Sequence, residues 1–217
     1  MLYASGMSEA QPSACPQCLK PQALCICASI APIDNRICLL VLQHPQEQDV
    51  ELGTARLAVR HLKNAVLKVG LSWPSLSKVL GHSADPKKWA VLYLGSAKVP
   101  ATLGEVVALD RKGNPVTEQA KALSDLEGVI VLDGTWSQAK AVWWRNAWLL
   151  KCKRIALNPK QPSLYGKLRK EPRRDGLSTI EAAALLLSHL EKNPDIRTAM
   201  LAGFSRMLAA YRASRTS

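Results

Sequence analysis

Four cysteines, Cys15-x-x-Cys18 and, after six residues, Cys25-x-Cys27, have the spacing of a single metal site. Four thiolates around one zinc ion form a closed tetrahedron with no position left for a substrate. Such a site is structural: it clasps a short N-terminal segment, and the reaction has to be sought elsewhere. Iron suits four thiolates as well. Two disulfides, or four unrelated thiols, are the alternatives. Disulfides require export, and the opening MLYASGMSEAQPSA has neither the basic start nor the apolar centre of a signal peptide. Cys38, in an apolar run, and Cys152, between two lysines, read as reduced thiols.

Three further stretches carry residues fit for chemistry. GVIVLDG (128–134) runs directly into TWSQAKAVWWRNAW. An apolar strand ending in Asp-Gly puts a carboxylate where ligands bind in open α/β sheets. Thr135-x-x-Gln138 fits a helix capping box, and Gly134 lets the chain turn. Asp133 needs neither explanation. It suits a proton acceptor or an anchor for a ligand amine; a loop-ordering aspartate is the plainer alternative. Trp136, Trp143, Trp144 and Trp148 share a broad helical arc that reads mostly as core. Trp136, at the first turn, is the exception and is placed to stack on a purine or base. Lys140, one turn on, must snorkel or face a ligand.

The second stretch is KLRKEPRRDGLSTIEAAALLL (167–187). Ser178-x-x-Glu181 is a capping box, preceded by a loop with five basic residues, Lys167, Arg169, Lys170, Arg173 and Arg174. A helix start after such a loop suits an anion; an ordinary capped helix behind a solvated loop is the alternative. The third stretch, QHPQEQDVELGTARLAVRHL (43–62), offers His44, Arg56 and Arg60, with Thr54 as an N-cap. A lone loop histidine is more often neither ligand nor catalyst.

Strands read at 36–43, 89–94, 128–134 and 153–158, and helices at 54–65, after Asp133, at 178–192 and at 195–213. Their alternation predicts an α/β fold with a largely parallel sheet flanked by helices. A small N-terminal metal-binding module (1–31) precedes the main domain (32–217). The chain has 29 Lys+Arg against 17 Asp+Glu, a formal charge of +12. Four zinc-bound thiolates would lower that to about +10. Such an excess points to nucleic acid or an anionic surface. No apolar stretch approaches the roughly 20 residues of a membrane span, so a cytoplasmic protein is expected.

The cysteine module, QHP with LGTARLA, LYLGS, DGTWSQAK and LRKEP…LSTIEA occur in that order over residues 15 to about 187. Together they resemble the DTW-domain family. The resemblance implies an S-adenosyl-L-methionine-dependent aminocarboxypropyltransferase acting on N3 of a tRNA uridine, with variable-loop position 47 the usual bacterial site. Methylthioadenosine would be released. It also implies a fold related to the SPOUT methyltransferases. Carried onto this sequence, Asp133 becomes the general base, or the group that orients the base or the cofactor amine. Backbone around Leu94, Gly95, Leu132, Gly134 and Thr135, the Leu177–Ser178–Thr179 turn and Trp136 would hold the cofactor. Arg56, Lys140, Arg169 and Lys170 would meet tRNA phosphates or the cofactor carboxylate. Cys15, Cys18, Cys25 and Cys27 would hold structural zinc. A methyltransferase using the same donor, or a non-catalytic zinc-dependent RNA-binding protein, are the competing functions. No obligate protein partner is evident, and a monomer is favoured.

Overall fold

The computed structural model describes residues 14–94, 99–100, 102–166, 168 and 176–215. Six strands form one sheet: β1 (Cys38–Gln43), β2 (Ala65–Val69), β3 (Trp89–Leu92), β4 (Val106–Leu109), β5 (Gly128–Asp133) and β6 (Lys153–Leu157). Their order is β2-β1-β5-β3-β6-β4. All neighbours are parallel except β4, which runs antiparallel to β6 at the edge. Every residue of β1 and β5 is buried, which is why both read as unbroken apolar runs rather than alternating ones.

Alternate side chains of these strands feed two cores. Leu39, Val41, Val129 and Val131 face α1 (Ala55–Arg60), α5 (Thr179–Leu190) and α6 (Pro194–Ser214). Leu40, Leu42, Ile130 and Leu132 face α2 (Leu76–Leu80) and α4 (Trp136–Arg145). A sixth helix, α3 (Gln119–Ser124), packs beside β4. The adjacent strands β1 and β5 therefore lead into helices on opposite faces. Their loops part, and a crevice opens at their carboxyl ends, the position where doubly wound sheets bind ligands.

Burial closes the chain around α1 and α6. His61 is 2% exposed, and its Nδ1 lies 2.8 Å from the Leu57 carbonyl. Burial pulls its pKa down, which keeps the ring neutral. The helix α6 crosses directly over it at Gly203, where a Cβ would sit 2.3 Å from His61 Nε2. Cys38 and Cys152 are buried free thiols, pushed up by burial to about 11 and about 12. Neither is a nucleophile at neutral pH.

The strands read from sequence all form, and so do the helices at 178–192 and 195–213. Two readings are corrected, and four elements are added. The helix expected over 54–65 stops at Arg60, and Ala65 already begins β2. The run AVLKV is too short and too mixed to announce itself as a strand; pairing with β1 makes it one. The short elements α2, α3 and β4 were also silent in the sequence. Lastly, the tryptophan arc departs from the reading at one position: Trp148, on a separate 3-10 turn (Ala147–Lys151), is buried and Trp143 packs against the same core, but Trp144 is 75% exposed.

Candidate active site at the carboxyl end of the sheet

Asp133 closes β5 in register with Gln43 of β1. Only 8% of it is exposed. Its Oδ2 accepts from Gln43 Nε2 at 2.9 Å, and its Oδ1 accepts from the Thr179 hydroxyl. One carboxylate thus ties together β1, β5 and the first residue of α5. Its backbone carbonyl accepts from His44 N at 2.9 Å, extending the β1–β5 ladder past the strand ends. The chain then turns at Gly134, whose φ of +153° suits only glycine. A Cβ there would lie 2.9 Å from Gln138 Cβ, so space as well as backbone excludes a side chain.

Thr135 and Gln138 complete the expected capping box. Thr135 N donates to Gln138 Oε1 at 2.6 Å, and Gln138 N donates to Thr135 Oγ1 at 3.4 Å. Gln138 also donates to Gln46 Oε1 at 3.2 Å, which holds the loop after β1 against α4. His44 serves that loop locally: its Nδ1 accepts from Gln46 N at 3.3 Å and caps the turn Pro45–Glu47. The outer surface of α4 carries Trp136, 40% exposed, with Lys140 Nζ 5.7 Å from its ring centroid.

The start of α5 is fixed more firmly than a cap requires. Glu181, 6% exposed, accepts at Oε2 from Ser178 N (2.8 Å), Ser178 Oγ (2.6 Å) and Ser163 Oγ (2.7 Å). Its Oε1 accepts from Leu164 N at 2.7 Å. Thr54 does not cap its own helix. Its hydroxyl accepts from Ile180 N at 3.2 Å, so the LGTARLA segment braces the start of α5 instead. Glu181→Ala leaves these buried donors without an acceptor. It is expected to cost about 3 kcal/mol and to lower Tm by roughly 6–12 °C. A melting curve within about 2 °C of the wild type would show the network to be dispensable.

Between this crevice and the N-terminal knuckle lies a polar recess of about 10 Å³, lined by Cys18, Lys20, Gln43, Glu47 and Arg56 among others. That volume takes one water-sized group. Gln43 Oε1 and Arg56 Nε are buried there with no hydrogen-bond partner. Lys20 Nζ spans the recess wall, donating to the carbonyls of Val50 (2.9 Å) and Glu51 (2.6 Å). Burial pulls it down to about 8, against the opposing pull of Cys18, Glu51 and Asp133.

The knuckle itself follows from Leu19, whose φ of +58° reverses the chain so that Leu19 N donates to Cys15 O and Cys15 N to Lys20 O. The four cysteine sulfurs lie within 4.8 Å of one another. A tetrahedron with metal–sulfur bonds of about 2.3 Å needs separations near 3.8 Å, so the donor set fits a tetrahedral ion. Backbone N–H groups of Cys18 and Gln17 aim at the Cys15 sulfur and bring its thiol down to about 6. The knuckle is seated on the main body: Gln17 Oε1 accepts from Arg60 at 2.9 Å, and Ile26 and Ile30 pack into the core shared with α6.

The DTW domain model matches residues 12–212. The chain belongs to the DTW-domain family. Among curated relatives of this DTW chain is the tRNA-uridine aminocarboxypropyltransferase 2 of Macaca fascicularis, 32% identical over 86% of this chain and 59% of the relative. The Mus musculus protein of the same name is 31% identical over the same shares, and that of Drosophila melanogaster 28% over 86% and 70%. This DTW chain therefore spans about 59% of the length of the first two. No solved structure matches it.

The DTW segment Asp133–Trp136 thus meets Thr179 of the LSTIEA segment directly, and Gln43 of the QHP segment completes the triangle. Leu94 and Leu132 pack in the core beneath α4, and Leu177 in the core on the other face. Gly95, Arg169 and Lys170 lie outside the described residues. Sequence reasoning passed over Gln43, Lys20 and Glu47. A polar residue ending an apolar strand was the available signal for Gln43. Lys20 and Glu47 gave none, since nothing in their neighbours announces burial.

Proposed function

We propose that this DTW chain transfers the 3-amino-3-carboxypropyl group of S-adenosyl-L-methionine to N3 of a tRNA uridine, releasing methylthioadenosine. The observation that carries the reading is Asp133, held at the β1–β5 switch point by one residue from each of two other family segments. The names of the relatives and the charge of +12 support tRNA as the partner. The proposal includes a SPOUT-like relationship of the fold, structural zinc at the four cysteines, and a monomer working in the cytoplasm. It also keeps the division into an N-terminal module (1–31) and a catalytic domain (32–217).

The residues present fit the donor. When bound, S-adenosyl-L-methionine supplies an electrophilic carbon beside a sulfonium that departs as a neutral thioether. Gln43 Oε1, an acceptor without a partner, suits the ammonium of its amino-acid end, which is water-sized like the recess, and Arg56 is the nearby cation proposed for the carboxylate outside it. Leu94, Leu132, Gly134 and Thr135 and the Leu177–Ser178–Thr179 turn converge on the same end of the sheet. Asp133 either takes the N3 proton or holds Gln43 and Thr179 in place; both roles use the same two hydrogen bonds. Holding both reactants in line supplies much of the acceleration.

The test is incubation with unmodified tRNA transcript and donor labelled in the aminocarboxypropyl carbons, followed by nucleoside mass analysis. A labelled uridine with methylthioadenosine is the expected result. S-adenosylhomocysteine with a methylated base would make the protein a methyltransferase, and unlabelled RNA that is nonetheless bound would make it a binding protein.

A further inference from the structure

The helix α4 turns more than a cap toward solvent. Trp136, Lys140 and Trp144 recur every four residues on its outer face, and the two tryptophans are 40% and 75% exposed. An indole three-quarters exposed leaves most of its apolar surface in water. The span from Trp136 to Trp144 is about 12 Å, the length of three to four stacked nucleotides at about 3.4 Å each. The face does not end there. Trp143, next to Trp144, packs edge-on to Tyr93 with centroids 6.5 Å apart. The Arg154 guanidinium lies 5.4 Å from the Tyr93 centroid and 5.8 Å from that of Trp143. Arg154 in turn lines an open cleft of about 360 Å³ with Lys87, Arg111, Lys151 and Lys153. Asp110 is the one carboxylate among the described lining residues. Its Oδ1 accepts from the N–H groups of Lys112 and Asn114 at 2.8 Å, and its Oδ2 from Asn114 Nδ2 at 3.4 Å.

We propose that the Trp136–Lys140–Trp144 face is a stacking rail for unpaired tRNA bases flanking the target uridine, continued by the basic cleft as a phosphate site. The inference rests on the tRNA reading above and specifies how the RNA is gripped. Aromatic faces bind any base, while cations alongside follow the backbone. The charge is complementary: Lys140 lies by Trp136, Arg145 follows Trp144 on α4, Arg154 packs against the adjacent Trp143, and α4 carries no acidic residue. The rail begins at the crevice holding Asp133, so a base extruded into the site leaves its neighbours against Trp136 and Trp144.

The experiment is filter binding of unmodified tRNA transcript over a salt series, with transfer assayed in parallel. Trp144→Ala, a surface change, is expected to weaken Kd about tenfold with the salt slope unchanged, since an indole releases no counterions. Trp144→Phe should restore most of the loss. Lys151→Ala should weaken binding and reduce the slope by about one. Wild-type affinity in Trp144→Ala overturns the rail, as does conversion of a dimer to a monomer with tRNA affinity intact, which would make this face a protein contact. Transfer with Trp144-independent binding refutes the rail alone. Trp144-dependent binding without transfer refutes the proposed reaction and leaves the rail standing, and a wild-type protein that binds no tRNA refutes both.

Discussion

Asp133→Asn is expected to leave the protein folded and bound to tRNA while lowering aminocarboxypropyl transfer by about 10²–10⁴-fold, the usual scale for loss of a positioned proton acceptor. The carboxylate accepts from two donors on opposite sides, Gln43 Nε2 and the Thr179 hydroxyl. Asparagine offers one oxygen, so one partner now meets an NH₂ group. The Thr179 hydroxyl can rotate to accept, but if Gln43 flips instead it withdraws its free Oε1 from the recess. Single-turnover rates of a second variant separate the two roles. If Asp133 removes the N3 proton, Thr179→Val, which keeps the carboxylate, retains most of the transfer rate. If Asp133 only orients its neighbours, Thr179→Val reproduces most of the defect. Full turnover in Asp133→Asn would remove the residue from the mechanism.

The second large effect belongs to the cysteines. One metal ion per chain is expected, and its removal by a chelator, or the double change Cys15→Ser with Cys18→Ser, should lower Tm by roughly 8–16 °C and abolish transfer. Structural zinc contributes about 10–16 kcal/mol in isolated fingers. Here the body of the protein folds around its own core, so a loss of about 4 kcal/mol is the conservative expectation. The loss reaches the candidate site because the knuckle carries Lys20, which holds the Val50 and Glu51 carbonyls at the recess beside Gln43. A loose knuckle frees that loop, and with it the wall against which the proposed donor would rest. Metal analysis, calorimetry and the labelled assay on the same samples decide the matter. A metal-free protein with unchanged melting and transfer would show the cluster to be incidental.

The two effects differ in what they leave intact. The Asp133 change acts on one contact and spares the fold; the metal acts through the fold. A Lys20→Met change sits between them, since it keeps the knuckle but removes its hydrogen bonds to the loop.

Much of this molecule was determined locally and could be read without coordinates. Apolar runs long enough to be buried on both faces announced β1, β3 and β5. The capping boxes Thr135–Gln138 and Ser178–Glu181 announced α4 and α5, because a cap is a contact between residues three apart. The cysteine spacing announced four thiols close enough to hold a metal ion for the same reason. Contacts between distant segments were not legible. Thr54 looked like the cap of its own helix and serves α5 instead, 126 positions away. Gln43 and Asp133 are 90 residues apart, and only parallel pairing of β1 with β5 sets them side by side. Trp144 has the same composition around it as a core tryptophan, and its exposure depends on which side of α4 the sheet occupies. Local hydrogen bonding and hydrophobic pattern are written in neighbouring residues. Strand order is not, because the free energy that selects it comes from surfaces brought together only when the whole chain is folded.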